Sequence, residues 1–138
     1  MLAACYILFL HFVADFLLQS REMGKKKSSE LYWLFQHLGI QFFVIGIGSL
    51  FVLGAHSIWF AIFNTLIHGI IDWNIWRLYK WSAGYRIRNK LRSAYAAAAF
   101  DAEVAKWQYW EDHWFYATIG LDQFLHASTI LLLLWWLV

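Results

Sequence analysis

Four apolar stretches, roughly residues 2–19, 31–53, 57–78 and 114–138, occupy most of this chain. Each is close to the ~20 residues that an α-helix needs to cross the hydrocarbon of a bilayer. A backbone placed in lipid must satisfy its own N–H and C=O groups, so each stretch reads as a helix. Composition agrees with lipid as the solvent. Of the 138 residues 62% are hydrophobic, 14% are charged and none is proline, which is far too apolar for an ordinary soluble domain of this size. The expected fold is all-α, a single-domain integral membrane four-helix bundle. The first stretch has no Lys or Arg ahead of it and carries His11 and Asp15 in its middle, so it is expected to stay as a helix and not to be cleaved as a signal peptide.

The eleven Lys and Arg residues fall in two places. Arg21, Lys25, Lys26 and Lys27 follow the first helix; Arg77, Lys80, Arg86, Arg88, Lys90, Arg92 and Lys106 lie between the third and fourth. The turn between the second and third has none. With four spans both basic loops share one side, and the positive-inside rule makes that side cytoplasmic, with both termini on the other. Lys25 to Lys27 reads most simply as this topology signal. The net charge of +2 then faces anionic lipid; membrane lipids are the expected partners and nucleic acid is not. Cys5 is the lone cysteine, which excludes a disulfide framework and a thiolate metal cage.

Residues 20–30 form a short polar loop, with Gly24 for the turn and Ser28 and Ser29 as N-cap candidates for the second helix. Residues 54–56 form a tighter turn, so the second and third helices make a hairpin. Residues 81–113 differ in kind: basic at first, Ala-rich over 94–99, then acidic. They are expected to be a cytoplasmic interfacial helical segment, because Ile87, Leu91 and Tyr95 share a face among Arg86, Arg88, Lys90 and Arg92. Trp107, Trp110 and Trp114, at helical spacing, read as an interfacial anchor.

The chemistry is concentrated in the apolar stretches. Their only acidic residues are Asp15, Asp72 and Asp122, and each has a histidine four residues away: His11, His68 and His126. That spacing puts both members of a pair on one helical face. The order reverses in the last pair because the fourth helix runs the other way. At about 1.5 Å per residue from the cytoplasmic end, all three pairs and His37 of the second helix reach a common layer. Gln19, Gln36, Gln41, Asn64 and Gln123 add amides nearby, with Gln19 and Gln123 the expected orienting partners of the centre. His56 and His113 read as interfacial histidines outside it.

An aspartate near the bilayer centre costs about 2.5–3.5 kcal/mol on the insertion scale, so three of them need partners. A divalent transition metal satisfies imidazole and carboxylate together, and this mixed nitrogen and oxygen set suits Zn, Mn or Fe. The expected ligands are His11, Asp15, His37, His68, Asp72, Asp122 and His126, enough for two ions with a position left for water. A structural hydrogen-bonded network and a proton or metal-ion path, the latter in a homo-oligomeric transporter or channel, use the same residues and stay open.

These motifs, His11-Phe-Val-Ala-Asp15-Phe-Leu-Leu-Gln19, Lys25, His37, His68-Gly-Ile-Ile-Asp72 and Asp122-Gln123-Phe-Leu-His126, resemble over nearly the whole chain the bacterial and phage membrane family of unknown function numbered 3307. The resemblance implies a multi-pass protein of the bacterial inner membrane. More loosely, the layout is similar to membrane-bound metal-dependent hydrolases, which implies hydrolysis of a lipid or phosphoester substrate with Asp15, Asp72 or Asp122 in a catalytic role. A structural or accessory membrane protein is the third expectation.

Overall fold

The computed structural model describes residues 1–92 and 108–137, and within them every regular element is helical. Helix α1 (Leu2–Phe12) widens into one π-helical turn, Val13–Leu17. A short α2 (Arg21–Lys26) follows, then α3 (Leu31–Leu53), a 3-10 turn at Gly54–His56, α4 (Ser57–Arg92), a second 3-10 turn at Tyr109–Glu111, and α5 (His113–Leu137). Helix α3 packs on α4, α4 on α5, and α1 lies against both α3 and α5, closing a four-helix bundle with α2 laid against α3.

Each long helix turns one stripe inward at spacings of three or four residues, as a 3.6-residue period requires. The stripe is Ile7, His11, Asp15 on α1 and Leu34, His37, Gln41, Ile45, Ser49, Leu53 on α3. On α4 it is Ser57, Phe60, Ala61, Asn64, His68, Asp72, and on α5 Asp122, His126, Ile130, Leu133. Buried polar side chains are as numerous as buried apolar ones among the described residues, while Phe9, Phe16, Phe35, Phe43, Phe51, Trp59, Leu66, Phe124 and Trp135 lie exposed on the outside. Helical runs Leu31–Lys90, which folds back at Gly54–His56, and His113–Leu137 are long and apolar enough to cross a membrane.

The fold-back needs Gly54, whose φ of +52° is costly for any side chain carrying a Cβ. Small residues let the helices approach: a Cβ on Gly48 would run into the Leu10 side chain, and one on Gly69 would stand 2.9 Å from Leu38 Cδ1.

Two local expectations change. Residues 20–30 are partly helical, and the cap is Ser20, whose Oγ accepts from Met23 N at 3.2 Å. Ser28 and Ser29 do not cap α3; its N-cap is Glu30. Helix α4 continues without a break to Arg92, so the first part of the segment expected to be helical, residues 81–92, is helical. The Ala-rich run 94–99 and Trp107 lie outside the described residues.

Candidate metal centre

All seven histidines and aspartates expected to converge do so. His11, Asp15, His37, His68, Asp72, Asp122 and His126 are each at most 5% exposed. The His68 and His126 rings stack with centroids 4.0 Å apart, and His11 lies 5.1 Å from His126 and 5.3 Å from His68. His37 Nε2 is 2.8 Å from His68 Nε2, 3.0 Å from Asp15 Oδ1 and 3.1 Å from Asp72 Oδ2. Asp15 sits in the π-helical turn of α1, a distortion that recurs at functional sites. His56 and His113 are exposed and stay outside, as expected.

The amides divide. Gln123 Nε2 donates to Asp15 Oδ2 and Asp122 Oδ2, both at 3.2 Å, and so ties α5 to α1 while orienting two carboxylates. Gln19, expected in the same role, makes no hydrogen bond to the cluster; its Oε1 is buried without a partner and its amide abuts Gly24. Gln36 is on the outer face. Gln41 and Asn64 are buried one turn beyond His37 and His68.

Sequence reasoning missed one member. Lys27 is 5% exposed, and its Nζ reaches Asp72 Oδ2 at 2.9 Å, Asp15 Oδ1 at 3.3 Å and His37 Nε2 at 3.3 Å. Burial opposes the charge, but the Asp72 and Asp15 carboxylates more than offset it and raise the Lys27 pKa above its ordinary value. Lys27 is thus a fixed internal cation. A signal for it exists: Met23, the lone large apolar side chain of residues 20–30, is buried on α2, and Lys27 lies four residues on along the same face.

Three groups of these residues could hold a metal ion: His11, His68 and His126; Asp15, His37, His68 and Asp72; Asp15, Asp122 and His126. Within each, one ligand atom per residue lies within 4.8 Å of the others. Lys27 already stands against three members of the second group. The other two hold atoms with no hydrogen-bond partner: both ring nitrogens of His11, Nε2 of His126 and Oδ1 of Asp122. His126 Nε2 is 3.6 Å from Asp122 Oδ1 and 3.7 Å from Asp72 Oδ1. Those gaps are too long for hydrogen bonds, yet near the ~3.4 Å that separates two ligands bound at ~2.1 Å to one tetrahedral ion. Charge points the same way. Three buried carboxylates against one ammonium leave two negative charges when the imidazoles are neutral, which one divalent cation cancels.

Beyond Asp72 the bundle is closed by a polar strut. Asp112 Oδ1 accepts from Trp114 N at 3.1 Å and caps α5, while its Oδ2 takes Arg86 Nη2 at 2.6 Å and the Tyr79 hydroxyl at 3.3 Å. Burial raises the Tyr79 pKa to about 12, with Asp112 adding to the shift. Desolvation works against the Asp112 carboxylate, but hydrogen bonds from Arg86 and the Trp114 backbone hold its pKa below the ordinary value. A depressed carboxylate stabilises above its unfolded pKa and loses that contribution as pH falls through the folded one. Asp112→Ala is therefore expected to cost about 1–2 kcal/mol at pH 7, mainly through the lost cap. In thermal melts in detergent, the gap to wild type should narrow below about pH 4. An unchanged gap at pH 3 would show that the carboxylate charge plays no part.

Fold and site together define an all-helical protein with a buried His and Asp centre able to hold a metal ion. Residues 4–138 match the protein family of unknown function DUF3307, and the chain belongs to that family. No curated protein and no solved structure matches it.

Proposed function

We propose that the chain is an inner-membrane protein whose His and Asp centre binds a divalent transition metal and hydrolyses a phosphoester or related polar ester on a lipid. The observation that carries the metal half is the pair of partnerless atoms His126 Nε2 and Asp122 Oδ1, 3.6 Å apart, with His11, both of whose ring nitrogens also lack a partner, beside His126. Within the apolar stretches the acidic residues Asp15, Asp72 and Asp122 are all buried while the exposed faces carry Phe, Leu and Trp, which supports lipid as the solvent.

Asp15, Asp122 and His126, with His11 and His68 beside them, would hold the ion; Zn, Mn and Fe suit this donor set. A second ion would have to displace Lys27 from Asp15 and Asp72. The metal would supply Lewis acidity and an activated water near neutral pH. The remaining roles belong to the chain. Asp72, whose Oδ1 lacks a hydrogen-bond partner, would accept a proton. Gln123 fixes the Asp15 and Asp122 carboxylates, and Lys27 offers an ammonium for negative charge developing on a phosphoryl oxygen.

Elemental analysis of untagged protein in mild detergent tests the metal half. Wild type should carry about one equivalent, and His126→Ala and Asp122→Asn should bind at least about 100-fold more weakly while still folding, since loss of a direct ligand exceeds the 10–100-fold cost of losing an orienting partner. Metal-free wild type after incubation with Zn, Mn and Fe would end the hydrolase reading and leave a structural network.

A further inference from the structure

Outside the centre, a cleft of about 620 Å³ opens between α2, the far half of α4 and the start of α5. Its lining combines cationic and apolar side chains. Arg21, Lys25, Lys80 and Ser28 line it together with Trp76, Ile87 and Phe115. No carboxylate lines it among the described residues. Nearby Glu22 and Glu30 are both engaged with Lys26. Lys80 Nζ has only neutral acceptors, Ser28 Oγ at 2.8 Å and the Lys25 carbonyl at 3.3 Å, and desolvation lowers its pKa with no carboxylate to oppose the shift.

We infer that this cleft binds the anionic phosphate head of a membrane lipid, with Arg21, Lys25, Lys80 and Ser28 on the phosphate and Trp76, Phe115 and Ile87 against the start of its apolar tail. Charge complementarity argues for the head: three cations without an acidic partner line one cleft, and ammonium and guanidinium groups bond phosphate oxygens strongly. The apolar lining argues for a lipid over a free anion, because a soluble phosphate has nothing to gain from Trp76 and Phe115. The volume lies in the ~300–1,000 Å³ range of small-molecule sites.

Position links the cleft to the centre. Trp76 is one helical turn from Asp72 on α4, and Ser28 follows Lys27 in the chain. The same short segment sends Lys27 inward to Asp15 and Asp72 and turns Arg21 and Lys25 toward the cleft. On the hydrolase reading, which this step presupposes, the cleft is where an anionic lipid substrate is held beside the metal. Binding itself does not depend on that reading.

Native mass spectrometry of the full chain released from detergent micelles tests it, with dioleoyl phosphatidylglycerol, dioleoyl phosphatidylcholine and glycerol 1-phosphate as probes. The expected result is a one-to-one adduct with phosphatidylglycerol at concentrations where phosphatidylcholine leaves none. Lys80→Gln and the double variant Arg21→Gln/Lys25→Gln, all at exposed positions, should weaken it roughly tenfold or more each. Prior EDTA treatment should not change it, so the site stands or falls apart from the metal. Equal retention of phosphatidylcholine, unchanged binding in both variants, or displacement by equimolar glycerol 1-phosphate would each overturn the assignment.

Discussion

Replacing Lys27 by methionine should destabilise the protein by about 3–5 kcal/mol, the cost of leaving a buried charge without its partner. Asp15 and Asp72 would then face each other from 3% and 0% exposed positions with no ammonium between them. Lys26→Met, one residue earlier, should stay within about 0.5 kcal/mol, because its contacts to Glu22 and Glu30 are exposed pairs. Thermal melts in detergent would separate the two variants, and equal melting temperatures would refute an internal Lys27. Zinc should restore more stability to Lys27→Met than it adds to wild type, since the change frees the four ligands Asp15, His37, His68 and Asp72.

Truncating Phe60 to alanine should also cost about 3–5 kcal/mol, the usual price of emptying a large core site. Phe60, Ile7, Ile45 and Ile130 are fully buried, one from each long helix, and form the apolar cluster that closes the bundle beyond the histidine layer. This plug bears on the choice between an enzyme and an ion path. A hydrophobic constriction in an ion path acts as a closed gate, and here four packed apolar side chains interrupt the polar stripe between the His and Asp layer and Ser49 and Ser57. Proteoliposomes of wild type are therefore expected to hold an imposed proton gradient as well as protein-free vesicles do. Measurable proton or metal flux through wild type would favour the transporter reading.

Much of the centre was legible because its residues obey one local rule. His11 with Asp15, His68 with Asp72 and Asp122 with His126 are paired at four residues, and the reversed order in the last pair matches a helix running the opposite way. His37 was found by depth alone. The amides were read less well. Gln19 and Gln123 are equally polar and equally close in register, yet Gln123 bridges two carboxylates while Gln19 abuts Gly24, a difference set by helix rotation and the approach of α2.

By itself the sequence determined the four long helices, the shared face of each His and Asp pair and the height at which these residues would lie, because period and rise are local properties of an α-helix. Only the tertiary structure decided what depends on how loops return. It folded α2 against α3 so that one of three consecutive lysines entered the centre, and joined Arg86 to Asp112 across 26 residues of chain. It also set Arg21, Lys25 and Lys80 around one cleft. A run of like charges has no period to mark which member turns inward. That choice is made by the buried carboxylates of Asp15 and Asp72, which lie on two different helices and meet only in the folded bundle.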